Sequence, residues 1–226
     1  MNTTPPGLVV TVLTRFIGGL LFMSAVLFIP AGTLEYWQGW VYITVLFIPM
    51  FAVLVYLVRN DPALLARRMQ TKEKVTEQKI IITLSGIFCL ACIILAALDF
   101  RFGWSPVPFW LVITADIFVF LGYLVFFWTI RENSYASRII EVAAEQQVIA
   151  SGPYSFVRHP MYAGALLMFL FTPLALGSFI ALLLFPPILL TIILRIRNEE
   201  KLLARELDGY AEYCTKTRYR LVPGIW

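Results

Sequence analysis

MYAGALLMFLFTPLALGSFIALLLFPPILLTIIL, residues 161–194, runs for 34 positions without a charged side chain. As one α-helix rising about 1.5 Å per residue it would be about 51 Å long. The hydrocarbon core of a bilayer is only about 30 Å thick. Two spans joined by a tight turn fit instead, and Pro173-Leu174-Ala175-Leu176-Gly177-Ser178 supplies turn residues near the midpoint. Each arm then has about 16 residues, extended a little into its flanks to reach across the core.

Working outward, four more stretches are long and apolar enough to span. They are Leu8–Pro30, broken only by Arg15; Gln38–Val58; Ile80–Leu98; and Pro108–Ile130, which holds one acid, Asp116. The sequence therefore predicts an all-α, polytopic integral membrane bundle of about six spans. The whole composition agrees: 60% hydrophobic residues, 14% charged residues and a mean hydropathy of +0.80 over 226 residues. Soluble domains carry about 25% charged residues. With no basic n-region and no small-residue cleavage site, the first span reads as mature chain and not as a signal peptide.

The basic residues orient the bundle. Six Lys/Arg lie in 59–79, three in 131–160 and seven from Arg195 onward, whereas the alternate loops 31–37, 99–107 and 173–178 hold one, Arg101. By the positive-inside rule the rich face is cytoplasmic, and six spans put both termini there. Trp37, Trp40, Trp104 and Trp110 fall near span boundaries, where interfacial aromatics belong.

Three Cys and one His, His159, exclude most metal chemistry, since structural zinc wants four Cys/His ligands. Cys89-x-x-Cys92 sits inside an apolar run and reads as two small residues on one helix face, because a redox pair needs an accessible thiolate. No metal and no nucleic-acid partner are expected; membrane lipids are. An acid within a span is costly, so Asp116 is expected to make an internal helix–helix hydrogen bond. Pro186-Pro187 is expected to break or bend the sixth span.

Organisation divides into residues 1–130, four spans with a cytoplasmic amphipathic segment at 60–79, and residues 131–226, a polar region built around the helical hairpin. In the first, Asn60 or Asp61 can cap a helix whose first turn holds Pro62, with Leu64, Leu65 and Met69 set against Arg67, Arg68 and Lys72. Such a helix would lie on the membrane as an anchor, or cover a site as a lid. In the second, Gly152 and Pro153 fix a turn, and Pro160 suits the start of a helix. Arg158 and His159 are thereby placed at a helix N-terminus, which attracts carboxylates. If spans five and six form a hairpin, they meet Glu199 and Glu200 at one membrane depth. A cleft with facing cationic and anionic groups suits a zwitterionic ligand carrying a further cationic centre, such as S-adenosylmethionine.

The run Gly152-Pro153-Tyr154-x-x-Val157-Arg158-His159-Pro160-Met161-Tyr162-x-Gly164 continues in Glu199-Glu200-x-Leu202, Tyr210-x-x-Tyr213 and Arg220-Leu221-x-Pro223. It resembles the isoprenylcysteine carboxyl methyltransferase family, to which the phospholipid N-methyltransferases are related. Membrane sterol reductases that use NADPH share a similar C-terminal pattern. The resemblance covers residues from about Asn133 to Trp226. It departs at Gln146-Gln147, where members acting on prenylated proteins often have a His, and at Gly209, which directly precedes Tyr210.

The resemblance implies a membrane methyltransferase whose cofactor, S-adenosylmethionine, is held by Gly152, Pro153, Tyr154, Val157, His159, Tyr162, Glu199 and Glu200. Arginines near the membrane face would hold the acceptor carboxylate: Arg158, Arg195 and Arg197 as the catalytic candidates. Asn133, Arg138, Tyr210 and Tyr213 are candidates for the remaining substrate contacts. The implied acceptor is lipid-tailed or prenylated. A carboxylate acceptor is already a nucleophile at neutral pH, so it requires no base, only proximity and water exclusion. A phospholipid amine would first have to lose a proton, to Glu199, Glu200 or His159. A reductase would need a further phosphate-binding cationic patch. These alternatives stay open on sequence, as do plain structural roles for the Glu pair, the arginines and the tyrosines.

Overall fold

A computed structural model describes residues 7–70, 76–136 and 146–226. These form α1 (Leu8–Ala31), α2 (Trp37–Asn60), α3 (Pro62–Arg68), α4 (Thr76–Phe102), α5 (Phe109–Glu132), α6 (Pro160–Ala175), α7 (Phe185–Glu206) and α8 (Tyr210–Lys216), with 3₁₀ segments at Gly152–Ser155 and Ile180–Leu184. Five stretches of 24 to 27 residues are long and apolar enough to cross a membrane: α1, α2, α4, α5 and Ile180–Glu206. The sixth expected span, α6, has 16 residues, about 24 Å. It still joins one end of the bundle to the other. Its first residue follows His159, which pairs with the C-terminal tail, and its last turn leads to Leu176, whose carbonyl accepts from the Tyr36 hydroxyl at 2.6 Å.

Two groups of loops gather at opposite ends. At one end, Arg67 and Arg68 of α3 donate to the carbonyls of Ser134 and Ala136 beyond α5. At the other, the connections 32–36, 103–108 and 176–179 meet, and Gly177, at φ 78°, lies so close to Gln38 that a Cβ would stand 3.0 Å from its Nε2. The expected grouping of alternate loops is therefore the grouping found.

The hairpin turn falls at 176–179 and its arms are unequal. The first is 16 residues, while the second continues past Leu194 to Glu206. Apolar content ends there but helix-forming residues do not, and this projecting part of α7 carries charge to the site. Pro186 and Pro187 do not bend the sixth span. They occupy the first turn of α7 after a 3₁₀ segment, where a missing N–H costs nothing.

α5 and α6 make the closest helix pair. A Cβ on Gly164 would meet the Gly122 carbonyl oxygen at 2.7 Å, and one on Gly122 would meet the Gly164 carbonyl at 2.7 Å. Hydrocarbon offers no hydrophobic drive between helices, so close backbone approach at small residues supplies the packing. Ala96, Ala97 and Ala115 are likewise fully buried at the centre of the bundle. The Asp61 carboxylate caps α3 by accepting from Leu64 N at 2.8 Å. Leu64 and Leu65 are buried against Val12, Val53 and Ile130, so α3 docks on protein instead of lying on lipid. Arg15 of α1 helps hold it, donating to the Met69 carbonyl at 2.7 Å. Asp116 is buried, but its carboxyl oxygens make no hydrogen bond with the described residues, contrary to the expected helix–helix bond.

The far end is closed by a carboxylate that composition did not single out. Asp99 accepts from Ser105 N at 2.7 Å and from the hydroxyls of Ser105 and Ser178. Those hydroxyls in turn accept from Ile180 N at 2.9 Å and Ala181 N at 3.1 Å. One acid thus ties two connections together and holds the two hydroxyls that accept from the first N–H groups of the 3₁₀ segment. Removing it leaves buried donors unsatisfied, on the order of 3 kcal/mol. Asp99→Ala is expected to lower the thermal midpoint in detergent by roughly 5–10 °C and to leave ligand affinity at the opposite end unchanged. A midpoint within a degree of the parent's would contradict the clasp.

Candidate functional site

The site grows from four pieces of chain. The end of α5 brings Glu132 and Asn133. The 3₁₀ turn follows, with Gly152 at φ 56°, a conformation side chains rarely adopt, and with Glu132 so close that a Cβ would meet its Cδ at 2.7 Å. Ser151 donates its hydroxyl to Glu132, and Asn133 Nδ2 donates to the Tyr154 hydroxyl at 2.8 Å. The turn is thereby fastened to α5. Next, Arg158 N donates to the Tyr219 carbonyl at 2.9 Å and His159 N to the Arg220 carbonyl at 3.0 Å. This backbone pairing presents both side chains before Pro160 opens α6.

α7 supplies the acids, which part ways. Glu200 Oε1 accepts from Arg158 Nη1 at 2.9 Å and lies 3.3 Å from His159 Nε2, while Oε2 accepts from Arg220 Nε at 2.7 Å. Its side chain is 13% exposed. Glu200 is a structural hub ringed by basic groups. Glu199 turns toward Tyr162: its Oε2 accepts from the Tyr162 hydroxyl at 2.7 Å, that hydroxyl accepts from Arg195 Nε at 2.8 Å, and its Oε1 lies 4.0 Å from His159 Nδ1. α8 closes the far wall, with the Tyr213 hydroxyl donating to the Tyr154 carbonyl at 2.7 Å. Burial pushes the hydroxyls of Tyr154 and Tyr210 above the ordinary phenol range and that of Tyr213 up to about 12. All three stay protonated near neutrality.

These pieces enclose a polar cavity of about 120 Å³. Of the residues singled out in the sequence, Asn133, Tyr154, Arg158, His159, Tyr162, Arg195, Glu199, Tyr210 and Tyr213 line it. Gly152, Pro153, Val157 and Glu200 do not; they support it from behind. Arg197 is exposed and is not brought to the site. Two residues along a helix turn it about 200° from Arg195, whereas Glu199, Leu202 and Leu203 recur on Arg195's own face. Arg138 lies outside the described residues. Gln146, Gln147, Tyr135 and Leu207 also line the cavity, without having stood out as ligands in the sequence. The buried Tyr210 hydroxyl has no hydrogen-bond partner among the described residues. No group of His, Cys, Asp or Glu among the described residues could hold a metal ion.

A second cavity, about 270 Å³, lies among the apolar helices α4, α5, α6 and α7. Ile81, Ile82, Phe126, Ala165, Phe169 and Ile192 form most of its wall, with Ser85, Thr191 and Arg68. Ile82 is exposed at its rim. Met161, Tyr162 and Arg195 line both cavities, so the apolar groove and the polar chamber meet at Tyr162–Arg195.

Residues 110–208 match the family model described as phospholipid methyltransferase. The matched interval runs from α5 to just beyond α7 and contains the turn, His159, Tyr162, Arg195 and both glutamates. Arg68, Tyr210, Tyr213 and Arg220 fall outside it. Among curated proteins the chain is similar to the Delta(14)-sterol reductase TM7SF2 of Mus musculus, 32% identical over 90 residues. That alignment covers 38% of this chain and 22% of the relative, so the chain matches about a fifth of that protein's length. The family match and the apolar helices support a multi-pass integral membrane methyltransferase.

Proposed function

We propose that this chain transfers a methyl group from S-adenosylmethionine to the carboxylate of a lipid-tailed acceptor of the isoprenylcysteine type. The observation that carries this reading is the pair Tyr162 and Arg195, which line both the polar chamber and the apolar groove. When bound, S-adenosylmethionine supplies an activated methyl on a sulfonium. The chamber has the donor set for it. The Glu199 carboxylate suits the amine, His159 and the Tyr210 hydroxyl suit polar ends, and the rings of Tyr154, Tyr162 and Tyr213 suit a cationic sulfur.

An acceptor carboxylate would take that methyl directly, a new O–CH₃ bond replacing the S–CH₃ bond, whose electron pair would stay on sulfur. No proton moves, so no base is needed. Arg195, fixed by Tyr162, would orient the carboxylate, and the apolar groove would hold the tail and exclude water. The concentration of basic residues at this end supports a cytoplasmic site, and the groove supports lateral entry of the acceptor from the bilayer.

The reductase similarity gives a second reading, hydride transfer from NADPH. It would call for a phosphate-binding cationic cluster, whereas Arg158 in the chamber is engaged by Glu200 and by the Arg218 carbonyl. The test is binding of S-adenosylmethionine and of NADPH to the detergent-purified protein, followed by transfer of labelled methyl to paired tailed and tail-less carboxylates. S-adenosylmethionine is expected to bind and the tailed acid alone to be methylated, because each buried methylene contributes about 0.8 kcal/mol. Equal rates would rule out a role for the groove. Labelling of phosphatidylethanolamine but of no carboxylate would favour amine methylation, and binding of NADPH alone would favour the reductase.

A further inference from the structure

Residues 219–226 are held in one shape by their own backbone. The Trp226 main-chain oxygen accepts from Arg220 N at 2.9 Å, Leu221 N at 3.0 Å and Val222 N at 3.2 Å, and Ile225 N donates to the Val222 carbonyl at 3.1 Å. Gly224, at φ 82°, closes the loop. One face of it is spent on protein. Leu221 is buried in the same apolar cluster as Ile192 and Ile196 of α7, Trp226 packs against that cluster, and the Arg220 guanidinium lies 5.3 Å from the Trp226 ring centroid. The other face is not: Ile225 is 82% exposed, and Val222 and Tyr219 are exposed too. The hydrogen bonds that close the loop hold Ile225 outward.

The level of this loop in the bundle follows from what it packs on. Ile196 lies just past Leu194, where the apolar run of α7 gives way to charge, and the loop pairs by backbone with Arg158 and His159 just before α6 begins. That is the level of lipid headgroups. An apolar tip flanked by basic residues suits that layer. Residues 213–226 carry Lys216, Arg218 and Arg220 and no acid. Arg218 is exposed, as is Arg197, next to Ile196 on α7. We infer that this loop is a lipid-binding foot: Val222 and Ile225 enter the headgroup layer of an anionic leaflet, while Arg197 and Arg218 meet its phosphates. The bilayer then braces the backbone strip that presents Arg158 and His159 to the chamber. The foot is independent of which reaction the chamber performs.

The test uses the full chain in vesicles of phosphatidylcholine alone or mixed with phosphatidylglycerol. A nitroxide on Ile225→Cys reports relaxation by oxygen, which concentrates in the apolar layer, and by a water-soluble nickel chelate. The parent, carried through the same labelling, gives the background of the native cysteines. Oxygen is expected to dominate in the mixed vesicles. A basic residue near an anionic surface contributes about fivefold in partitioning, so nickel accessibility should fall by about fivefold or more relative to phosphatidylcholine alone. Arg197→Gln combined with Arg218→Gln should remove the difference. Amide exchange at residues 158 and 159 of the unlabelled chain should slow in the mixed vesicles, and Ile225→Asp should abolish that slowing. Nickel-dominated relaxation in both vesicle types would overturn the inference, as would equal oxygen dominance in both, which leaves lipid charge no role. Protection that persists in detergent and grows with protein concentration would assign the tip to a second copy of the chain instead. Exchange that ignores the lipid would overturn the brace.

Discussion

Gly164→Leu is expected to abolish methyl transfer and S-adenosylmethionine binding, with losses of a hundredfold or more. The contact it disturbs is backbone against backbone. Gly122 O stands 2.7 Å and Phe126 N 3.1 Å from the position a Cβ would take, so no flexible side chain can yield and α6 must move off α5. Overpacking of this kind typically costs about 1–3 kcal/mol. The greater effect is geometric: His159 and Tyr162 lie within about a turn and a half of Gly164 along α6, and a displacement of about 1 Å at reacting groups can cost a hundredfold in rate. Gly122→Leu should behave alike. Gly18→Leu and Gly86→Leu, where nothing lies within 4 Å of the added carbon, should leave binding and the thermal midpoint unchanged. A Gly164→Leu protein with parental affinity would mean that α6 position is not what sets the site.

The two adjacent glutamates should fail differently. Glu200→Ala removes the common acceptor of Arg158 and Arg220 and the neighbour of His159, leaving basic groups facing one another in a partly buried place. Both stability and S-adenosylmethionine affinity are expected to fall, affinity by roughly 10- to 150-fold for about 1.5–3 kcal/mol. Glu199→Gln alters a side chain that faces the cavity and accepts from Tyr162; it should weaken binding with little change in thermal midpoint. His159→Ala is expected to weaken binding as well. Calorimetric or fluorescence titration together with thermal unfolding separates these patterns. Parental affinity in both Glu200→Ala and His159→Ala would exclude the cofactor assignment.

Much of this was readable in the sequence because bilayer physics writes itself into composition. Span length, the division of the uncharged run 161–194 and which loops share an end of the bundle all follow from apolar length and charge placement. Of the cavity residues, His159 was readable because Pro160 fixes where a helix begins, Glu199 because the hairpin brings the end of the sixth span to the same depth, and Tyr162 only through the family resemblance. Arg197 could have been set aside by helical angle alone, since Arg195 and Glu199 are four residues apart and share a face. Other features were hidden because they depend on partners distant in sequence. Asp99 reads as an ordinary helix-end acid until Ser105 and Ser178 come to it. Arg68 reads as a cytoplasmic anchor until α3 docks beside Phe126. Glu200 looked equivalent to Glu199 until Arg220 arrived from the tail. Pro186-Pro187 misled because a 3₁₀ segment before it shifts the helix start.

The pairing of residues 158 and 159 with 219 and 220 carries a consequence for biosynthesis. Spans enter the bilayer as they leave the ribosome, yet the strip holding His159 has no backbone partner until some sixty more residues have been made. The chamber is therefore assembled late, from the aqueous side, onto helices already inserted. A nascent or truncated chain stopping after α7 would sit in the membrane with the walls of its apolar groove made and its polar half unbuilt.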